Sequence, residues 1–260
     1  MRKHIILTFD LEEFDLPLEF GCPISEEDQI NISNNGLQQL TRLLSKFSIH
    51  ATFFTTSYYA IKNKELVKNL SVNHEIASHS KIHSQFDVTD LSESKTELEK
   101  ITGKQIYGFR MPHFKKIDFS IIKEAGYIYD SSINPTCIPG RYNNLLSRRK
   151  IYRDIRSNLI EIPVSVSPLI RFPLFWLSFK NIPFPVYLNL CKQAIWKDSY
   201  LHLYFHPWEF AKLESFNLPA YIKKPSGDQL LKKFEKLIVE LKKKGDFSTI
   251  SGFLDIGNIV

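Results

Sequence analysis

The sequence predicts an α/β protein with a mostly parallel sheet, folded as one domain over residues 1–260. Three observations predict it. Short apolar runs rich in β-branched and aromatic residues alternate with segments of helical periodicity. A length of 260 residues, 43% apolar and 24% charged, suits one full hydrophobic core. Chemistry-bearing side chains follow directly after the apolar runs, where strand C-termini present catalytic groups in barrel enzymes.

In chain order, Ile5 to Phe9 reads as the first strand. Leu37, Leu40, Leu43, Leu44 and Phe47 keep helical spacing behind Asn34-Asn35, which can cap. Ala51 to Thr55 is a β-branched and aromatic strand, and Ser57 to Leu70 a helix. Leu91 to Ile101 is a helix stopped by Gly103. Ile106 to Phe109 is a strand, Phe119 to Ala125 a short helix ended by Gly126, and Tyr127 to Tyr129 a strand. Leu159 to Val164 and His202 to Phe205 are later strands. Ser226-Gly227-Asp228-Gln229 has the pattern of a capping box before the stripe Leu230, Leu231, Phe234, Leu237, Ile238 and Leu241. Phe247 to Ile250 is a last strand. Leu16 to Ile30 and Pro135 to Ile151 read as loops. Periodicity leaves open whether the sheet closes.

The most informative stretch is His79-Ser80-Lys81-Ile82-His83, just after Glu75-Ile76-Ala77-Ser78. Two histidines four apart share one face if the segment is helical, and both imidazoles then reach one cation. A carboxylate from another strand end, such as the Asp10-Leu11-Glu12 run, completes a two-His-one-carboxylate set with open positions. That is the layout of a metal hydrolase.

Bulk numbers remove other classes. Lys plus Arg is 34 against 28 Asp plus Glu, a net charge of +6. The excess concentrates in Lys232 to Lys244, which reads as a solvated helix face, and no aromatic-interleaved basic motif for nucleic acid is present. Cys22, Cys137 and Cys191 are far apart and match neither a zinc knuckle nor a disulfide framework. With Met1 leading almost at once into a strand, the expectation is a reducing, cytoplasmic location.

Thr8-Phe9-Asp10, His79-Ser80 to His83, Arg110-Met111-Pro112-His113-Phe114, Tyr129-Asp130-Ser131-Ser132 and Leu201 to Trp208 occur in the order of known sequence blocks. Over Ile5 to Trp208 the chain resembles the polysaccharide deacetylases, the NodB-like enzymes of carbohydrate esterase family four. The resemblance implies a distorted (β/α) barrel of about seven strands. It implies hydrolysis of N-acetyl groups on a sugar or glycan precursor, as in polysaccharide or cell-envelope synthesis. It also implies a divalent metal, with zinc the default for a His-rich catalytic site.

The resemblance assigns roles. His79 and His83 become metal ligands, Asp10 the base, Arg110 the cation that pins it, and His206 the general acid. Asp130 is expected to join the charge network of Arg110 and His206, although a turn-forming aspartate reads equally well. Many members place an aspartate directly after the base; here it is Leu11. If the strand continues, Glu12 points to the side of Asp10 and becomes the third ligand, while Glu13 faces away. Pro112 and Phe114 shape the groove wall. His113 reads as structural, and His202, on one face with Tyr204 and His206, is a secondary site candidate that reads first as structural. Leu203 or Phe205 lines an acetyl-methyl pocket. Two rivals stay open: an amidase of the same fold acting on non-sugar amides without an obvious metal, like the allantoinases, and a non-catalytic glycan-binding protein.

Ser167 to Phe179 lies outside the shared blocks and is dense in aromatics. Proline and Arg171 break it too often for a membrane span. It reads as core helix or homo-oligomer interface, or as an apolar patch through which Phe172, Phe175, Trp176 and Phe179 touch a membrane or lipid carrier.

Overall fold

The computed structural model describes residues 3–256. Its strands are β1 (His4–Leu11), β2 (Thr52–Thr55), β3 (Glu75–Ser78), β4 (Gly108–Phe109), β5 (Tyr129–Asp130), β6 (Cys137–Ile138), β7 (Tyr142–Asn143), β8 (Tyr152–Arg153), β9 (Ile160–Glu161), β10 (Tyr200–Phe205) and β11 (Asp246–Ser248). The main sheet runs β10-β1-β2-β3-β4-β5-β9-β8. From β10 to β9 all pairings are parallel, and β8 adds an antiparallel edge. Beyond β9 the chain turns back toward β10, and Ser165 N donates to the His202 carbonyl at 2.8 Å. The sheet thus curls into the expected distorted barrel; β11 also pairs in parallel with β1, so eight of the nine strands described in this sheet are parallel.

Period-two alternation sorts the side chains of β1. Ile5, Leu7, Phe9 and Leu11 face outward and join the core formed with the helices. Ile6 faces inward, with Phe54, Ala77, Tyr129, Ile160 and Tyr200 in the apolar floor of the barrel. Thr8, Asp10 and Glu12 continue that inward column toward the C-terminal mouth. On β10, Leu201, Leu203 and Phe205 belong to the outer core. Leu203 and Phe205 therefore do not form the expected methyl pocket; the inward residues are His202, Tyr204 and His206.

Two glycines mark close approaches. A Cβ on Gly108 would fall 1.9 Å from the Tyr129 ring, and one on Gly36 would fall 1.9 Å from the Pro207 carbonyl oxygen. Gly36 lets the long helix Glu26–Lys46 lie against the short helix Pro207–Phe210, which carries the chain beyond His206.

Several helix boundaries differ from expectation. Glu26–Lys46 is capped by Ser25, whose hydroxyl accepts from Asp28 N at 3.1 Å, so Asn34 and Asn35 sit inside it. Three acidic residues in its first turn offset the helix dipole and outweigh the poor propensity of the asparagines. Ser57–Lys62 and Lys64–Asn73 are separate helices, broken at Asn63. Ser226 does not cap Gly227–Lys242; its hydroxyl instead meets Glu214 and Leu213 N. The Pro135 to Ile151 stretch contains the β6–β7 hairpin.

Candidate active site

Residues 79–86 are not helical, contrary to the expectation from the His79–His83 spacing. His79 directly follows β3, and a loop with Ser80 at φ 66° swings His83 back over it. The two rings stack with centroids 5.8 Å apart. Glu12 Oε2 lies 3.2 Å from His79 Nε2 and 3.3 Å from His83 Nε2. One ligand atom from each residue falls within 4.8 Å of the others.

The partners of the other ring nitrogens decide the chemistry. His79 Nδ1 is 2.8 Å from the Arg110 carbonyl oxygen, which only accepts, so Nδ1 carries the proton. His83 Nδ1 lies 2.9 Å from an Asp15 carboxylate oxygen and is held in the same tautomer. Both Nε2 lone pairs therefore point at Glu12 Oε2, a buried oxygen without a hydrogen-bond donor. Three electron pairs converging out of water call for a cation. Burial pushes the Glu12 carboxyl up, but His83, His79 and His206 outweigh it and hold it well below the usual carboxylate range. Burial likewise opposes charge on His83, yet Glu12, Asp15 and Glu13 lift the imidazole to about 9. The pocket attracts positive charge, whether a proton or a metal ion. Glu13 points away, its carboxylate accepting from Thr56 Oγ1 at 2.7 Å, as alternation requires.

Asp10 sits one step deeper. Its Oδ1 accepts from Arg110 NH1 at 2.6 Å. Arg110 is wholly buried, lies 4.0 Å over the Phe54 ring, and donates also to Thr8 Oγ1, Ser131 Oγ, the Ser131 carbonyl and His202 Nε2. His202 Nδ1 faces the Pro163 carbonyl at 3.2 Å, leaving Nε2 to accept. Burial and the Arg110 charge keep that ring neutral. His202 thus holds the Arg110 guanidinium from the Pro163 side.

Opposite, His206 is buried between indoles. Trp208 stacks on it at 4.7 Å and Trp176 meets it edge-on at 5.3 Å. Its Nδ1 is 3.1 Å from Glu209 Oε1, and its Nε2 is 3.9 Å from Glu12 Oε1. Burial works against protonation, but the Glu209 hydrogen bond and the Glu12, Glu209 and Asp10 charges raise its pKa. The second Glu209 oxygen is 3.8 Å from the buried Lys180 ammonium.

Asp130 is not part of this network. Tyr129 takes the inward position on β5, so Asp130 turns outward and Ser131 is the residue that reaches Arg110. Asp130 instead accepts from Ser132 Oγ at 2.6 Å and neighbours Glu161 across the β5–β9 pairing. The carboxylate behind His206 is Glu209, one helical turn on. Sequence reasoning missed Glu209, Asp15 and Lys180; Glu209 and Asp15 could have been found as carboxylates three residues from a proposed ligand or acid.

Asp10, Glu12, His79, His83 and His206 line one cleft of about 320 Å³ at the C-terminal mouth. Phe114 is in its wall, as expected, and so is His113, whose ring lies 4.2 Å from that of His83. Burial and the nearby His83 push the His113 pKa down to about 3. Of the aromatics of Ser167 to Phe179, Phe172 is half-buried. Phe175, Trp176 and Phe179 are buried in the chain's own core, and Trp176 faces His206.

Residues 1–128 match the family model described as polysaccharide deacetylase. That stretch is similar to the polysaccharide deacetylases. Structural likeness extends beyond the matched residues. A putative polysaccharide deacetylase from Mycobacterium smegmatis superposes with a TM-score of 0.66 at 19% identity, covering 100% of this chain and 91% of that one. An allantoinase superposes with a TM-score of 0.65 at 14% identity, over 95% and 87%. A peptidoglycan N-acetylglucosamine deacetylase gives 0.52 at 16%, over 95% and 86%. No curated protein matches the sequence. Glu12 lies two residues beyond Asp10, and Leu11 between them offers no carboxylate.

Proposed function

We propose that this chain is a metal-dependent deacetylase that hydrolyses N-acetyl groups on a sugar or glycan precursor. The observation that carries the reading is the convergence of Glu12, His79 and His83 lone pairs in a cleft shared with Asp10 and His206. Two imidazoles and one carboxylate suit zinc. When bound by these three residues, a divalent cation supplies Lewis acidity for the amide carbonyl and for water.

The remaining work falls to this chain's own side chains. Asp10, oriented by Arg110, takes the proton from the attacking water. His206, turned by Glu209 so that Nε2 faces the cleft, gives a proton to the departing amine. Trp176 and Trp208 exclude bulk water around that transfer. A cleft of about 320 Å³ accepts a sugar unit with its acetamido group.

Acetate release from N-acetylglucosamine oligomers, with a cyclic amide such as allantoin in parallel, tests the reading. Wild-type protein should bind about one divalent ion and deacetylate the sugar. Asp10→Asn should lower kcat by about 10²–10⁴-fold while keeping the metal. Turnover of the cyclic amide alone, or turnover in metal-free wild type, would show a different amidase.

A further inference from the structure

We propose that the loop tips bearing Leu145, Leu146, Leu169 and Ile170 form a docking surface for an anionic lipid bilayer. Leu146 is 100% exposed, Leu169 89%, Ile170 75% and Leu145 42%. The two tips are joined in space: Arg171 NH1 donates to the Ser147 carbonyl at 2.7 Å and also meets the Pro135 carbonyl. Four aliphatic side chains pointing into water at adjoining tips are not scattered surface hydrophobes; such clusters mark interaction sites.

Charge indicates the partner. Lys116 lines the same shallow groove as Leu145 and Leu146. Lys115 and Arg148 are exposed beside them in sequence. Aliphatic tips with Lys116 beside one of them fit a negatively charged bilayer surface, where the cation adds attraction and each side chain leaves water.

Four backbone amides flanking the exposed side chains are already paired within the protein. Leu145 N donates to Asn143 Oδ1, Ser147 N to the Asn144 carbonyl, Arg171 N to the Ser167 carbonyl and Phe172 N to Ser167 Oγ. Backbone groups already paired carry little penalty away from water. No helix among the described residues is long and apolar enough to cross a membrane, so contact would be peripheral.

The position links the surface to the cleft. The β6–β7 hairpin that leads to Leu145 contributes Ile138 and Tyr142 to the cleft wall, and the tip at Leu169 leads to Phe175 and Trp176 of the same wall. Docking would set the mouth at the headgroup layer. The surface does not depend on which amide the site hydrolyses.

Co-sedimentation of the full chain with phosphatidylglycerol vesicles and with phosphatidylcholine vesicles tests this. The wild type should bind the anionic vesicles, and high salt should weaken that binding. Leu146→Asp combined with Leu169→Asp should reduce binding by about ten-fold or more, with thermal stability, metal content and turnover of a soluble substrate unchanged. Lys116→Glu should weaken binding by less. Failure of the wild type to bind, equal binding to both vesicle types, or undiminished binding by the double variant would each overturn the proposal. So would a wild-type oligomer that binds no vesicle and falls apart in the double variant, which would assign the patch to protein contact.

Discussion

Two buried carboxylate sites, both built on parallel strands of the same barrel, have opposite electrostatics. Glu12 faces two imidazoles whose lone pairs point at it, and its pKa is driven down. Asp130 and Glu161 face each other on neighbouring strands, and burial drives both pKa values up, Glu161 further because of the Asp130 charge beside it. Glu161 Oε2 meets no ordinary donor, so the pair is satisfied when one carboxyl keeps its proton. Burial is common to both and explains neither alone. The direction is set by which face of the strand the side chain takes. Inward from β1, a carboxylate meets His79 and His83; outward from β5, it meets another acid. A proton suffices for the second site, while the first has room and ligands for a metal.

The comparison breaks most severely if the first site does not hold a cation. His79→Ala should abolish stoichiometric metal and activity while circular dichroism and Tm show the fold intact, because His79 lies at the mouth and not in the floor. Full occupancy in His79→Ala would falsify the ligand assignment, and retained occupancy in Glu12→Ala would move the third ligand elsewhere. Asp15 fixes the His83 tautomer through Nδ1 and touches no substrate. Asp15→Ala should weaken metal binding by roughly ten- to a hundred-fold, measured by competition with a chelator, because outer partners of ligating histidines have effects of that size.

Much of the first site was legible in the sequence because strand alternation is local. Asp10, Glu12 and the outward Glu13 follow from the register of β1 alone. His79 and His83 were legible as a pair but not as a conformation; the spacing suggested a helix, and a left-handed Ser80 produces a loop. Asp130 failed for a one-residue reason. Ser131 is the inward residue, and a strand of two residues gives no periodicity from which to read its facing. The distorted barrel came from family resemblance, since alternation of elements cannot report closure. The core reading of Ser167 to Phe179 applies to Phe175, Trp176 and Phe179, whereas composition does not separate these buried aromatics around His206 from the exposed Leu169 and Ile170 of the same segment.

A smaller effect sharpens the contrast at His206. Glu209 raises the His206 pKa, so Glu209→Gln should move the alkaline limb of kcat/KM to lower pH. A hydrogen bond to a charged group is worth about 1.5–3 kcal/mol, so kcat should fall by roughly ten- to a hundred-fold. His206→Ala should remove the alkaline limb altogether. An unmoved limb in both variants would assign it to another group and leave Glu209 as packing beside Lys180.

The smallest effect concerns the second site. Asp130 and Glu161 have folded pKa values above their ordinary ones of 3.8 and 4.5. The folded state therefore holds protons that the unfolded chain has released. By linkage, stability from this pair is complete below the ordinary carboxylate range and declines as pH rises through the raised folded values. Asp130→Asn replaces the shared proton with an amide that donates to Glu161 at every pH. Urea unfolding of wild type should therefore weaken from mildly acidic toward alkaline pH. Asp130→Asn should flatten that slope by about 1 kcal/mol or more, and kcat should remain within about two-fold of wild type because Asp130 touches neither Arg110 nor His206. A large loss of kcat with an unchanged stability slope would return Asp130 to the catalytic network and dissolve the distinction between the inward and outward carboxylates.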